Sequence, residues 1–367
     1  MSRAACRYGA TAEEGTNFMS RPPGVLLKSC KEILGRGSAV SSEDVMQGSA
    51  IAHPNVALVK YWGKRPARGN LPAMGSLSLS LGFLATRTTV RFDPDGGQDT
   101  LTLNGRRNSR DLKRMQDCLA PLRRRAAGYG SATVDSRNDF PTGAGLASSA
   151  SGMAALALAG ASALGLADDL DLVGRSAMAG SGSAPRSLHG GVVLLSIDPE
   201  GSWSCKSLLR PEEWPLKVAV AVTQTGPKQT DSRAGMELTR RTSPFYKGWL
   251  GSQKADLEDA RRAVAQRDFG CLAELSEGNC LRMHAAAMGA TPPLMYFNGA
   301  TVECMHRVRD LARDGRPVFF TVDAGPQVKA VCLPDVFDEV CDALGQVPGV
   351  QQVLSGDLGG GARLVPG

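Results

Sequence analysis

Residues 141–166 read PTGAGLASSASGMAALALAGASALGL, a glycine-broken, serine-bearing loop that runs into a long alanine-rich segment. The segment predicts a helix, and Gly143 and Gly145 let a ligand approach the backbone just before it. The first N–H groups of a helix and its dipole attract anions. Ser148 and Ser149 add hydroxyls that can hold a phosphate oxygen or a magnesium ion. The stretch predicts a phosphate site, although no GK[ST] follows the glycines as in a Walker A loop; a small-residue helix capped by its serines is the alternative.

Length and composition favour a two-domain protein that acts on a small anion. The 367 residues exceed the usual size of a single core. A hydrophobic fraction of 42% and a charged fraction of 21% are typical of globular proteins. The formal net charge of +6 suits an anionic small-molecule substrate. No dense basic stripe with interleaved aromatics predicts nucleic-acid binding, and the most basic run, residues 110–128, is interpreted as a solvated helix face.

Cysteine spacing and hydropathy bear on the compartment. The nine cysteines form no CxxC pair and no Cys/His cluster with zinc spacing. Their odd number and the lack of a signal peptide predict a reducing, cytoplasmic setting in which they serve as small core residues. No uninterrupted apolar run reaches about 18 residues, so we expect no membrane span and no membrane partner.

The periodicity predicts two α+β domains. Residues 1–47 lack sustained periodicity and are interpreted as a disordered extension or a mis-called start, with Met46 as the natural beginning. Strands then helices follow twice, and the pattern restarts near residue 215. We therefore expect an N-terminal domain at residues 48–215 and a C-terminal domain at residues 216–367.

Three further segments concentrate polar residues beside predicted strand ends. The first, HPNVALVKYWGKR, holds Asn55, Lys60, Tyr61 and Lys64. Alternation puts Lys60 and Tyr61 on opposite faces of an apolar strand. A lysine buried there needs an acid or a bound anion. An edge-strand lysine that reaches solvent is the alternative.

The second segment, GSGSAPRSLHGG at residues 180–191, holds Ser181, Ser183 and Arg186. These side chains can converge on a phosphate or carboxylate, with arginine as a two-pronged donor. A flexible helix-to-strand linker is the alternative. One further loop, TQTGPKQTDSRAGM, offers Ser232 before a helix, where a simple cap is the alternative.

The third segment, FFTVDAGP, places Asp323 at the end of an apolar strand. An aspartate there suits a general base or a carboxylate that pairs with Lys60. A turn-forming aspartate is the alternative.

Five segments in order, NVALVKYWGKR, FPTGAGLASSASG, GSGSAPRSLHGG, SRAGMELTRRTSPFY and TVDAGP, resemble the mevalonate diphosphate decarboxylases of the GHMP kinase superfamily. The likeness runs from about Ala50 to the C-terminus. It implies an α+β, GHMP kinase-like two-domain fold with the active site in the cleft between the domains. It also implies ATP-dependent decarboxylation of (R)-5-diphosphomevalonate to isopentenyl diphosphate, ADP, phosphate and CO₂. ATP, Mg²⁺ and a homodimer are expected on the same ground.

The resemblance implies roles residue by residue. Asp323 matches the aspartate that takes or orients the C3 hydroxyl proton, and Lys60 matches the lysine that pairs with it. Asn55 and Arg186 match the groups that hold the C1 carboxylate. Tyr61, Lys64, Ser181 and Ser183 match residues near the substrate phosphates. Ser232 lies in a segment that is associated with the transferring phosphate. The loop that cradles ATP phosphates and magnesium is matched by Gly143, Ala144, Gly145, Leu146, Ala147, Ser148 and Ser149, with the two serines as the expected magnesium ligands.

Three positions depart from the pattern of the resemblance: Pro185 replaces a frequent cysteine, Gln327 a frequent asparagine, and Asp231 a frequent serine. Relatives that act on 5-phosphomevalonate, or that only phosphorylate mevalonate at C3, therefore stay open as alternatives. A catalytically inactive binding protein would be expected to lose the aspartate or the glycine loop, and both are present.

Overall fold

The computed structural model of the chain describes residues 46–65, 70–128, 130–140, 148–226 and 230–366. The predicted site residues Gly143, Ala144, Gly145, Leu146 and Ala147 lie outside these ranges, as do residues 1–45 of the extension predicted for residues 1–47. The last two residues of that predicted extension, Met46 and Gln47, belong to a strand. The described ranges all belong to one unit of contacting residues, Val45–Gly367.

Strands and helices are mixed along the chain, which confirms the predicted α+β class. The strands are β1 (Met46–Ala52), β2 (Asn55–Val59), β3 (Ser76–Ser80), β4 (Thr86–Asp93), β5 (Thr100–Leu103), β6 (Arg106–Arg107), β7 (Ser131–Asn138), β8 (Val192–Ile197), β9 (Trp203–Leu209), β10 (Lys217–Val222), β11 (Val318–Val322), β12 (Val328–Cys332), β13 (Gln352–Asp357) and β14 (Arg363–Leu364). The helices are α1 (Leu112–Arg125), α2 (Ser148–Ala163), α3 (Leu170–Gly180), α4 (Ala184–Ser187), α5 (Ser232–Thr242), α6 (Tyr246–Gln266), α7 (Phe269–Met288), α8 (Gly299–Arg313) and α9 (Phe337–Gly345).

A six-stranded sheet carries the alanine-rich helix α2. Its order is β14-β1-β4-β7-β5-β6, antiparallel except for the parallel pair β5–β7. Helix α2 packs on β1 and β4. A Cβ on Gly48 of β1 would lie 2.3 Å from the Ala159 carbonyl oxygen of α2. Small residues on both elements therefore let the helix approach the sheet closely, which sets the position of its N-terminus.

Two four-stranded antiparallel sheets, β2-β3-β8-β9 and β11-β12-β10-β13, share one hydrophobic core with α6 and α7. Strand β10 is buried on both faces because Val218 and Val220 enter this shared core, while Ala219 and Ala221 enter a second core beneath α8 and α9. The two sheets therefore bring the ends of β2 and β11 into one region of the molecule.

The structure contains two elements that the sequence interpretation did not include, and it pairs the last strand with the first. Strand β9 follows β8, and the segment interpreted as a possible linker contains the short helix α4. Strand β14 pairs with β1, with Ala50 opposite Leu364, so the last residues return to the first sheet. None of the helices in the described ranges has the length and apolar character needed to cross a lipid bilayer.

Candidate active site

A cleft of about 770 Å³ collects residues from β2, α2, α4, α5 and the turn after β11. Every predicted site residue within the described ranges lines it: Asn55, Lys60, Tyr61, Lys64, Ser148, Ser149, Ser181, Ser183, Arg186, Ser232 and Asp323. Among its charged lining residues, the basic ones (Lys60, Lys64, Arg110, Lys113, Arg114, Arg186 and Arg233) outnumber the acidic ones (Asp111, Asp231 and Asp323). The cleft is therefore built for anionic ligands.

An ion pair joins the ends of two strands at the cleft. Strand β2 is buried along its whole length and ends at Val59, so Lys60 follows it into a buried position with 1% exposure. Asp323 directly follows the buried strand β11, and 23% of its side chain is exposed. The Lys60 Nζ lies 2.7 Å from Asp323 Oδ1 and also donates to the Ala57 carbonyl oxygen at 2.8 Å. A buried ammonium needs such partners because desolvation is costly.

Helix α7 fixes the backbone of Lys60 through a residue that the sequence analysis missed. The Oδ1 atom of Asn279, which is fully buried, accepts the Lys60 backbone N–H at 2.8 Å. The Nδ2 atom of Asn279 donates to Asp256 Oδ2 at 2.8 Å, and Asp256 in turn pairs with Arg282. The one signal in the sequence is the position of Asn279 on the apolar face of α7, where a polar residue needs a hydrogen-bond partner.

The same helix fixes the strand end that carries Asp323. The backbone N–H of Val322 donates to Cys280 Sγ at 3.2 Å, and His284 Nε2 donates to the Val322 carbonyl oxygen at 3.1 Å. Burial lowers the pKa of His284 to about 3, so this imidazole is neutral at ordinary pH. His284 therefore supports the strand and carries no charge.

Arg186 is a buried cation that no carboxylate among the described residues pairs with at salt-bridge distance. Its Nε donates to Asn55 Oδ1 at 3.1 Å and its Nη1 donates to Ser76 Oγ at 2.7 Å. The Nδ2 of Asn55 donates to Ser187 Oγ at 2.7 Å, so Asn55 is itself fixed. These neutral partners orient the guanidinium but leave its charge uncompensated, and burial lowers its pKa. Such a site favours a bound anion.

Tyr61, Ser181 and Ser183 supply hydroxyls to the same cleft. The Tyr61 hydroxyl is buried and has no hydrogen-bond partner within the described ranges, and burial raises its pKa. The Oγ atoms of Ser181 and Ser183 lie 3.2 Å apart. An unsatisfied buried hydroxyl costs free energy, so a polar ligand would stabilise this wall.

A second group of cations lies around Asn70. The Oδ1 of Asn70 accepts from Lys64 Nζ at 2.5 Å and from Arg233 Nη2 at 2.8 Å. Burial lowers the pKa of Lys64 to about 8, and the charges of Arg233 and Arg114 act in the same direction. Cations are held this close only where an anion relieves their repulsion or a neutral acceptor separates them. Asn70 is such an acceptor for Lys64 and Arg233, and the combined charges of Lys64, Arg233 and Arg114 make this part of the cleft favourable for a second anionic group.

The run interpreted as a solvated helix face, residues 110–128, borders the cleft at its start; Lys113 is exposed as expected, and Met115, Leu119 and Leu122 are buried. Arg110, Lys113 and Arg114 line the cleft, and Arg114 is half-buried there with Asp111 as its ion-pair partner at 3.2 Å. An amphipathic pattern separates an apolar face from a polar one, but it does not distinguish bulk solvent from a water-filled cleft.

Ser148 and Ser149 open helix α2 at the cleft, with no acidic residue in the first turn. The positive end of the helix dipole and two hydroxyls fit anionic phosphate groups. Within the described ranges, no cluster of three or more His, Cys, Asp and Glu side chains could hold a metal ion. A magnesium ion here would take hydroxyl and phosphate oxygens, which are donors that it prefers.

The three departures have local structural roles. Asp231 caps α5 by accepting the N–H groups of Arg233 and Ala234 at 2.9 Å, and Ser232 follows as the first helical residue. Gln327 accepts the Thr223 N–H at 2.6 Å, tying the turn after β11 to the end of β10. Pro185 lies in the first turn of α4, where its missing N–H costs nothing.

Comparison with known proteins supports the fold and the family. The diphosphomevalonate decarboxylase-like N-terminal domain matches residues 52–206, and the mevalonate 5-diphosphate decarboxylase C-terminal domain matches residues 218–355. The human diphosphomevalonate decarboxylase is 36% identical over 313 residues, covering 79% of this chain and 78% of the human enzyme. The enzyme of Eremothecium gossypii is 33% identical over 323 residues, covering 82% of this chain and 81% of that enzyme.

Solved structures agree. A structure of MDDEF in complex with MVAPP, AMPPCP and magnesium has a TM-score of 0.81 and 36% identity, covering 88% of this chain and 100% of that one. Mevalonate diphosphate decarboxylase from Staphylococcus aureus also has a TM-score of 0.81 and 36% identity, covering 88% of this chain and 99% of that one. The fold is thus the two-domain GHMP kinase type, as predicted. The chain belongs to the diphosphomevalonate decarboxylase family.

The lowered pKa of Lys64 predicts a pH-dependent anion site. Lys64 is charged below about pH 8 and neutral above it, so inorganic pyrophosphate should bind more weakly as the pH rises through that value. We expect the dissociation constant, measured by calorimetry from pH 6.5 to 9.5, to rise by up to about tenfold, or about 1.4 kcal/mol. Lys64→Arg, which stays charged, should lose much less affinity. The same pH dependence in both proteins would remove Lys64 from this site.

Proposed function

We propose that this protein catalyses the ATP-dependent decarboxylation of (R)-5-diphosphomevalonate to isopentenyl diphosphate, ADP, phosphate and CO₂. The substrate carries a C1 carboxylate, a tertiary C3 hydroxyl and a C5 diphosphate. Tertiary hydroxide leaves poorly, whereas phosphate leaves easily, so phosphorylation of C3 prepares the loss of CO₂. The three groups require a carboxylate site, a proton acceptor and a diphosphate site in one cleft.

The observation that carries the proposal is the buried Arg186 beside Asp323. Its guanidinium has no ion-pair partner among the described residues, and Asp323 is near enough to act on it electrostatically. The phosphoryl-transfer step by itself needs only the proton acceptor. A decarboxylase also needs a cation that holds the carboxylate with its C–C bond aligned to the leaving group. In this proposal Asn55 and Ser76 orient Arg186, and Arg186 contacts the C1 carboxylate.

Asp323 and Lys60 act at the C3 hydroxyl in this scheme. The Asp323 carboxylate accepts or orients the hydroxyl proton, and the Lys60 ammonium, 2.7 Å from it, stabilises charge on the transferring phosphoryl group. Ser232 would lie near that group. The cluster of Lys64, Arg233 and Arg114 would bind the C5 diphosphate with Tyr61, and Ser181 and Ser183 would add hydroxyl contacts. Several cations in one cluster favour the diphosphate over the monophosphate.

ATP and magnesium would lie at the N-terminus of α2. We propose Ser148 and Ser149 as contacts to ATP phosphates and magnesium, together with Gly143, Ala144, Gly145, Leu146 and Ala147 of the preceding loop. When bound, magnesium neutralises phosphate charge and makes phosphoryl transfer easier. The chain contributes the dipole and hydroxyls of the helix end, which need no reorganisation for a phosphate to bind.

The domain division, compartment and assembly are part of the proposal. Domains at residues 48–215 and 216–367 agree with the ranges of the two matched family domains, apart from the return of β14 to β1. A cytoplasmic location is supported by the free thiols of Cys118, Cys205, Cys280, Cys304, Cys332 and Cys341. A homodimer is proposed from the family resemblance alone.

A paired assay of ADP and ¹⁴CO₂ tests the proposed reaction. The enzyme is given 1-labelled 5-diphosphomevalonate, with 5-phosphomevalonate and mevalonate in parallel reactions. We expect equal amounts of ADP and CO₂ with the diphosphate and much less of both with the other two compounds. ADP without CO₂ would make the protein a C3 kinase. Preference for the monophosphate would contradict the proposed substrate.

Arg186→Lys should abolish most activity without unfolding the protein. An ammonium does not reproduce the hydrogen bonds to Asn55 and Ser76 while also reaching a carboxylate. We expect kcat/KM for 5-diphosphomevalonate to fall about 100-fold. The matched control is Arg175→Lys on the exposed face of α3, which should have wild-type kinetics. A near-normal rate in the Arg186 variant would mean that the carboxylate binds elsewhere.

A further inference from the structure

A second buried lysine lies against the Asp323 carboxylate. Lys329, in the middle of the C-terminal sheet on β12, has its Nζ 3.6 Å from Asp323 Oδ2. The Lys60 Nζ lies 2.7 Å from Oδ1 of the same carboxylate. Both lysines are 1% exposed. Each oxygen of Asp323 therefore has a buried ammonium beside it.

The two lysines differ in their access to the cleft. Lys60 and Asp323 both line the cleft, whereas Lys329 lies behind them and is not among its lining residues. Lys329 is held in the ladder opposite Thr321 of β11 and Val220 of β10, and its Nζ donates to the Gln327 carbonyl oxygen at 3.3 Å. Lys60 follows the end of β2, where its ammonium can reach a ligand. Lys329 can therefore act on a reaction only through Asp323.

The burial of Lys329 is electrostatically costly. Burial lowers its pKa and the charge of Lys60 adds to this effect, while the charge of Asp323 opposes it. Replacing a buried ion pair by packed apolar groups is often neutral or stabilising. Stability alone therefore gives no reason for two lysines on one carboxylate. A functional requirement for an ionised and oriented Asp323 carboxylate does give one.

We propose that Lys329 is a positioning residue, which holds the second oxygen of Asp323 and keeps this carboxylate ionised and oriented when the Lys60 ammonium turns to an incoming phosphoryl group. The inference rests on the proposed function, in which Asp323 accepts or orients the C3 hydroxyl proton. With Lys60 alone, the same ammonium would have to neutralise Asp323 and the transferring phosphoryl group at once. With Lys329 in place, the carboxylate keeps a counter-ion throughout.

The other titratable groups around Asp323 do not change charge in the acid range. Burial lowers the pKa of His284 to about 3 and raises the pKa of the Cys280 thiol, so both groups on α7 stay neutral. Arg186, on α4, keeps its proton because arginine stays charged in proteins even where burial lowers its pKa. Neither α7 nor α4 therefore adds a group that changes its charge beside Asp323 in this pH range.

Lys329→Met tests the proposal through the pH dependence of ADP formation. Removing a cation from beside a carboxylate raises the pKa of that carboxylate, so the acid limb of kcat should move to higher pH by at least about 1 unit. Lys329→Arg retains the charge and should keep the limb near that of the wild type. The matched control is Lys217→Met, which removes another lysine–aspartate pair, Lys217 with Asp357 at 2.8 Å, from the same sheet. This control should leave the limb unmoved.

Reciprocal titration covers the case in which Lys329→Met does not fold. In Asp323→Asn, which keeps the shape of the side chain, the pKa of Lys329 should fall by the same amount, measured by NMR of ¹³C-labelled lysine without substrate. An unmoved acid limb in a folded Lys329→Met protein, or an unmoved Lys329 titration in Asp323→Asn, would overturn the proposal. Failure of the proposed function is a separate result, because it appears as absence of CO₂ from the wild type and leaves the titration readable.

Discussion

The ion pair between Lys60 and Asp323 is the interaction around which the molecule is organised. It joins the residue that follows β2 to the residue that follows β11, and the Lys60 side chain is almost fully removed from solvent. Water no longer stabilises this ammonium, so the protein must supply every partner. Asn279 fixes the backbone of Lys60, and His284 and Cys280 fix the strand before Asp323. The shared core of the two four-stranded sheets keeps these elements in register.

Other buried cations in the cleft also depend on protein groups in place of water. Arg186 is oriented by neutral oxygens, and Lys64 and Arg233 meet at the neutral amide of Asn70. Cations held in this way remain undercompensated until an anion binds. A substrate with a carboxylate at one end and a diphosphate at the other would compensate both groups of charges, which links the electrostatic cost of the buried cations to specificity for the ligand.

Residues that interrupt an apolar strand could be predicted from the sequence. Lys60 and Asp323 stand out because each ends a run of apolar residues, which led to the prediction that they pair; the resemblance implies the same pair. Lys329 lies in an equally apolar strand, but its neighbour across the sheet is not visible in the sequence, so its contact with Asp323 was missed. Asn279 was missed because burial of one polar residue on a long helix depends on tertiary packing. The same limit applies to Arg114, which lies beside the cleft at the start of an otherwise solvent-exposed helix face.

The most direct test of the Lys60–Asp323 centre is single-turnover ADP formation by Asp323→Asn, with ATP affinity measured on the same protein. The substitution keeps the shape of the side chain but removes the proton acceptor and the charge opposite Lys60. The account predicts that ADP formation slows by about 100- to 10,000-fold while ATP affinity stays near that of the wild type. Asp314→Asn on the surface serves as the control. ADP formation at the wild-type rate in Asp323→Asn would contradict the account.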